Sequence, residues 1–217
     1  GTLYWQHNDC WPVASWSSMD YYVRWKALHY AAQKAFNDIL VSPSENDGNL
    51  SVYIVSDQLE TQTATLELKL QTFDGAEIWA ETRYVDIAAN ASRVYFESVV
   101  DELLDGAAKS EVVLTTRVLQ DGELVSQNRH YFLPVKDLSL PRPTVETTIK
   151  KSDDGFAIEV STDQLAKNLY LQAENSTGFF SDNYFDLLPG ETVTVHFTPD
   201  ETISQPDLKI MTVADSY

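Results

Sequence analysis

Tyr4-Trp5-Gln6-His7-Asn8-Asp9-Cys10-Trp11-Pro12 is the stretch on which this chain turns, and Trp16 and Trp25 follow it closely. Four of the five tryptophans lie within the first 25 residues, beside an Asn-Asp pair and a proline. A core strand takes aromatic rings readily, yet seldom tryptophan at this density next to His, Asn and Asp. Broad ring faces stack on the apolar C–H face of a pyranose, while amide and carboxylate groups take its hydroxyls. The same residues would also build a buried tryptophan cluster followed by a turn.

Moving outward, residues 2–6 are short, apolar and extended in character, which predicts a buried strand. Pro12 and the serines between Ser15 and Ser18 break that pattern. From Arg24 onward Trp25, Leu28, Ala32, Ala35, Phe36 and Ile39 recur at helical spacing. Asp20, or Ser17 together with Asp20, is placed to cap such a helix, which should end before Pro43. Ser42 to Asn49 reads as a polar connector closing on the turn pair Asp47-Gly48.

After that turn the hydrophobic period becomes two. Strands are predicted at 50–55, 65–70, 78–84, 93–96, 111–118 and 128–132, with Asp74-Gly75 and Asp121-Gly122 as hairpin turns. That density of short strands predicts an immunoglobulin-like sandwich. Pro134, Pro141 and Pro143 stiffen a connector over 133–143. A second strand series at 145, 156–160, 169–174, 192–197 and 208–213, with turns at Asp154-Gly155 and Pro189-Gly190, predicts a smaller sandwich. The expected division is therefore 1–41, 42–136 and 137–217.

Composition sets outer bounds. The chain has 217 residues, of which 43% are hydrophobic and 12% aromatic, as in folded domains. Thirty-three acidic residues against 15 basic ones argue against nucleic acid or an anionic membrane as partner. The single cysteine, Cys10, permits no intrachain disulfide.

Two segments carry a family resemblance. Gly1 to Pro12, continuing through Ser15-Trp16-Ser17-Ser18-Met19-Asp20-Tyr21-Tyr22 and Arg24-Trp25-Lys26-Ala27-Leu28-His29-Tyr30, closely resembles part of glycoside hydrolase family 2. The similarity is strongest to the β-mannosidase branch, although a usual form of the motif has leucine where this chain has His7. In that family the segment is the last strand and helix of the catalytic (β/α)8 barrel. Phe180-Ser181-Asp182-Asn183-Tyr184-Phe185-Asp186-Leu187-Leu188-Pro189-Gly190-Glu191 resembles the C-terminal β-sandwich of the same enzymes. The resemblance implies a mainly β chain of two immunoglobulin-like β-sandwiches preceded by the last strand and helix of a (β/α)8 barrel. The rest of that barrel, about 250 residues in all, would then precede residue 1.

Function follows as an expectation. The family hydrolyses with retention, using two glutamates about 5–5.5 Å apart, and the resemblance puts both on barrel strands before residue 1. No glutamate precedes Glu45, so no catalytic residue is expected in this chain. Trp5 is implied as the platform for the terminal sugar, with Asn8 and Asp9 either binding hydroxyls or fixing the loop. Trp11 and Trp16 should pack within the loop, and Trp25 on the core face of the helix. Cys10 beside His7 or His29 lacks the orienting partner that thiol catalysis needs, so a buried, inert thiol is expected. His7, His29, His130 and His196 have no metal-ligand spacing, and no metal or cofactor is expected. Phe179, Phe180, Tyr184 and Phe185 read as core and corner packing in preference to a carbohydrate face. Residues 1–41 should be buried on the adjacent sandwich or by self-association. The expected role is the C-terminal part of a retaining β-mannosidase acting on terminal non-reducing β-D-mannosides, completing and bracing its barrel. The alternative is a freestanding carbohydrate-binding or adhesion β-sandwich protein without catalysis.

Overall fold

The computed structural model describes residues 3–216; Thr2, where the first predicted strand begins, lies outside them. In chain order, an irregular segment over 3–26 leads into helix α1 (Ala27–Ala35). There follow β1 (Ile39–Asn46), β2 (Asn49–Ser56), β3 (Gln62–Thr72), β4 (Glu77–Ile87), β5 (Ala91–Val99), the short helix α2 (Val100–Leu104), β6 (Val112–Gln120) and β7 (Glu123–His130). The series continues with β8 (Val145–Ser152), β9 (Gly155–Thr162), β10 (Ala166–Ala173), β11 (Gly178–Phe180), β12 (Phe185–Leu187), β13 (Thr192–Pro199) and β14 (Leu208–Met211). The chain forms two compact units: residues 34–140, and the N-terminal segment up to residue 33 together with the chain from Pro141 onward.

The first unit is a sandwich of an antiparallel sheet ordered β1-β2-β5 and another ordered β4-β3-β6-β7. Alternation dictates which faces meet: Leu50, Val52 and Ile54 of β2 and Leu66, Leu68 and Leu70 of β3 are all fully buried. Each such side chain contributes about 1.5–3 kcal/mol by leaving water. The hairpins β1-β2 and β6-β7 turn at Asp47-Gly48 (φ 48° and 76°) and Asp121-Gly122 (φ 51° and 85°). Both central residues are left-handed in each, which is what a type I′ turn between twisted strands requires and why Asp-Gly marks it.

The two lateral edges of this sandwich differ. On one side β1 is latched to β7: Val41 N–H donates to Ser126 Oγ (3.0 Å), Asn128 Nδ2 to Val41 O (3.2 Å), and His130 Nε2 meets Glu45 Oε2 at 3.0 Å. On the other side, between β4 and β5, the ties lie at one end. Tyr95 Oη donates to Asp86 O (3.1 Å) and accepts from Ala88 N (3.0 Å), and Arg83 Nη1 donates to Tyr95 O (2.9 Å).

The second unit pairs a sheet ordered β11-β13-β9-β8 with one ordered β12-β10-β14 around Phe156, Ile158, Leu169, Leu171, Val195 and Phe197. In the segment between β11 and β12, the Asn183 side chain pairs with the backbone of β10. Its Oδ1 accepts from Leu171 N (2.8 Å) and its Nδ2 donates to Leu171 O (2.9 Å). Gly155 (φ 146°) lets β9 approach β13 so closely that a Cβ there would stand 2.2 Å from Phe197 O.

Two predicted elements change. Residues 3–6 form no strand, because among the described residues no neighbouring strand offers them a ladder; the nearest pairings are single bridges, Asn8 to Met19 and Met19 to Trp25. The helix ends at Ala35, and Ile39 belongs to β1 instead. Ile39 and Val41 point into the core at 6% and 0% exposure, a period of two that overrides the helical spacing. Pro43 is accommodated because β1 is an edge strand, where a missing N–H costs no ladder bond.

Candidate functional site

The N-terminal segment builds its shape from loop-to-loop backbone bonds. Ser18 N donates to Gln6 O (3.0 Å), Met19 N to His7 O (3.0 Å), Asp9 N to Met19 O (3.1 Å) and Lys26 N to Ser18 O (2.9 Å). Two buried side chains lock this arrangement. Asp9, 5% exposed, accepts from Ser15 Oγ (2.5 Å) and from Lys26 Nζ (2.9 Å), and Lys26 also donates to Ser17 Oγ (2.8 Å). Ser18, fully buried, donates to His7 O (2.8 Å) and lies 3.1 Å from Tyr4 Oη and 2.9 Å from His29 Nδ1.

Charge follows these contacts. The Ser15 hydroxyl and then the Lys26 ammonium hold the Asp9 carboxyl below the usual carboxylate range, against the opposing effect of burial. Burial pulls Asp20 upward, but its bonds to Arg24 and to the Tyr22 amide outweigh it, and the net shift is downward. Burial, then the neighbouring His7 ring 5.7 Å away, lowers the His29 pKa, which favours the neutral imidazole.

Helix α1 fastens the segment to the C-terminal sandwich. Tyr30, 5% exposed, donates through its hydroxyl to Phe180 O (3.1 Å) and lies 6.0 Å from the Tyr184 ring. Trp25 meets Phe179 edge-on at 4.9 Å and Tyr30 at 5.2 Å. For Trp25 and Tyr30 the expected burial on the adjacent sandwich is corrected, since their partners come from β11 and the segment after it, whereas Ile39 and Val41 of the same stretch do lie in the adjacent sandwich's core. Trp25, expected on the core face of the helix, instead precedes α1, bridges to Met19 and is half-buried, packing through its ring contacts. Phe180 and Phe185 are buried in the sandwich core, while Phe179 carries Trp25.

The predicted site residues part company. Trp5 is 80% exposed, its ring free of ring contacts and hydrogen bonds among the described residues, and the Trp5–Gln6 peptide is cis. Asn8 is exposed and donates to Asp9 O (3.2 Å). Asp9 turns inward and engages both oxygens, the geometry of a loop-fixing carboxylate. Trp11 and Trp16, expected to pack within the loop, are instead 64% and 73% exposed, because Asp9, Ser17 and Ser18 occupy the loop interior. Cys10 is likewise exposed, not buried. The Lys26–serine network was not singled out from the sequence; the run of serines from Ser15 to Ser18 was its one local signal.

Comparison with known proteins places this geometry. Residues 48–137 match a family described as a mannosidase Ig/CBM-like domain, and residues 140–216 an Ig-fold domain. A goat (Capra hircus) β-mannosidase is 32% identical across 100% of this chain and 26% of its own length. The β-mannosidase A of Aspergillus terreus is 28% identical over 93% of the chain and 23% of its own length. The crystal structure of a β-D-mannosidase from Dictyoglomus thermophilum superposes with a TM-score of 0.81 at 29% identity, over 96% of this chain and 25% of that one. An exo-chitosanase from Amycolatopsis orientalis shares the fold at a TM-score of 0.63 and 16% identity. The chain thus spans about a quarter of the length of the relatives it matches.

Proposed function

Because this chain belongs to the β-mannosidase branch of glycoside hydrolase family 2, we propose that it is the C-terminal part of a retaining β-mannosidase acting on terminal non-reducing β-D-mannosides. In this reading residues 1–41 complete the catalytic barrel, and the sandwiches of residues 42–136 and 137–217 brace it. The nucleophile and the acid/base are supplied by the remainder of the enzyme, since no glutamate precedes Glu45.

The observation that carries the proposal is the state of the N-terminal segment. Its backbone is locked from within by Asp9, Ser18 and Lys26, yet Leu3, Trp5, Trp16 and Val23 stand 98%, 80%, 73% and 70% exposed. A rigid loop with so many exposed apolar side chains suits a surface that docks against further protein and a ligand. Trp5 is the proposed sugar platform, Asn8 a hydroxyl partner, and Asp9 acts through the loop by holding both in place.

The test compares this chain alone with the longer protein that supplies a barrel, on an aryl β-mannoside. The longer protein should turn over with retention, and this chain should not exceed a purified blank. Turnover by this chain alone, abolished by replacing one of its own glutamates, would overturn the proposal.

A further inference from the structure

The first sandwich is sewn shut along one lateral edge and left parted along the other. Where β4 and β5 separate, beyond the Tyr95 ties, they enclose a cleft of about 450 Å³ floored by Leu103 of α2 and lined by Trp79, Arg83, Phe96, Glu102 and Asp105. A volume in this range holds one or two pyranose rings.

Two irregularities open it. Ile78 is an extra residue in β4, between the pairs Leu70–Trp79 and Gln71–Glu77, and Tyr95 is an extra residue in β5, between Val52–Phe96 and Tyr53–Val94. A bulge bends its strand and re-aims the side chains beside it. One bulge in each edge strand, both at the same opening, therefore splays the edges apart next to Trp79 and Phe96. Helix α2 ends there as well, with Asp105 in the left-handed region at φ 47°.

The chemistry of the lining is mixed. Trp79 is half-buried against Phe96, with ring centroids 5.5 Å apart, and its indole N–H has no partner among the described residues. Arg83 lies over the Phe96 ring at 4.8 Å and is held by Glu81. Glu102 and Asp105 are exposed and make no hydrogen bond or ion pair among the described residues. An aromatic body, guanidinium and indole donors, and free carboxylate acceptors converge on one opening. Hydroxyl groups both donate and accept, so a polyhydroxylated ring satisfies all of them. A metal ion does not fit: no three His, Cys, Asp or Glu side chains among the described residues are grouped to hold one. A simple cation would meet Arg83.

We propose that the β4–β5 cleft binds a short saccharide of one or two pyranose rings, on a different unit from Trp5 and independently of it. The chain, isotope-labelled, is titrated with β-1,4-mannobiose and followed by the Trp79 indole resonance and the backbone amides of Glu102 and Asp105. Saturable shifts are expected in the millimolar range, unchanged in Trp5→Ala. Trp79→Ala should abolish them. Because Trp79 also packs on Phe96, the exposed pair Glu102→Gln and Asp105→Asn supplies a second variant, expected to fold normally and bind at least fivefold more weakly. No saturable shift with mannobiose, shifts unaffected by both variants, or binding of a plain diamine in place of the sugar would each overturn the proposal.

Discussion

Tyr30 is the residue through which the N-terminal segment is fastened to the C-terminal sandwich, and two replacements separate its contributions. Tyr30→Phe removes the hydroxyl that donates to Phe180 O at 3.1 Å and keeps the ring. A buried acceptor loses its partner, which costs about 1–1.5 kcal/mol. Tyr30→Ala also removes a ring that is 5% exposed and lies 5.2 Å from Trp25 and 6.0 Å from Tyr184. Deleting a buried aromatic side chain costs about 3–5 kcal/mol. In a domain of this class each kcal/mol lowers Tm by about 4–8 °C. The assay is calorimetry with hydrogen exchange read separately on β10 and β13 and on β3 and β6. Tyr30→Phe should lower the transition that carries β10 and β13 by a few degrees, and Tyr30→Ala about three times as far, with β3 and β6 unchanged. Wild-type melting of Tyr30→Ala, or a loss confined to β3 and β6, would refute the docking argument.

Two further outcomes follow from charge. Asp9 titrates below the ordinary carboxylate value of about 3.9, so its contribution to loop order is complete above that value and is lost as pH falls through the lower folded one. Hydrogen exchange over residues 8–26 should therefore stay slow at pH 5, quicken below about pH 4, and be fast at every pH in Asp9→Asn; quickening of the unaltered chain already at pH 6 would contradict this. At the alkaline end, burial, then the Tyr170 charge and hydrogen bond, pushes Tyr184 up to about 12, and burial raises Tyr30 as well. A raised tyrosine pKa leaves stability intact below the unfolded value of about 10 and erodes it above. Urea midpoints of the C-terminal unit should thus fall between about pH 10 and 12, and a flat profile there would contradict the burial of these rings.

What the sequence disclosed and what it hid divide along physical lines. The Asp-Gly pairs at 47–48 and 121–122 located hairpins because a type I′ turn needs two left-handed residues, a local demand. Alternation in Leu66, Leu68 and Leu70 exposed a half-buried strand for the same reason. Strand β1 was obscured because Ile39 continues the helical spacing of α1 and Pro43 argues against a strand; only its place at the sheet edge resolves this. Strands β11 and β12, three residues each, are too short to show a period. At the candidate site, the residue types of Trp5 and Asn8 suggested a sugar contact, and the structure leaves both exposed. The inward turn of Asp9 was not legible, because its partner Lys26 lies 17 residues away. Nor was the docking of Tyr30 on Phe180, a contact across 150 residues.

The central claim, that Trp5 is the sugar platform of a β-mannosidase to which this chain contributes its C-terminal part, is tested most directly by kcat/KM of that enzyme on a β-mannoside. Trp5→Ala should lower it by about 2–4 kcal/mol of transition-state binding, while Trp11→Ala, equally exposed in kind, leaves it within a few-fold of the parent. A correctly folded Trp5→Ala enzyme with unchanged kcat/KM would contradict the account.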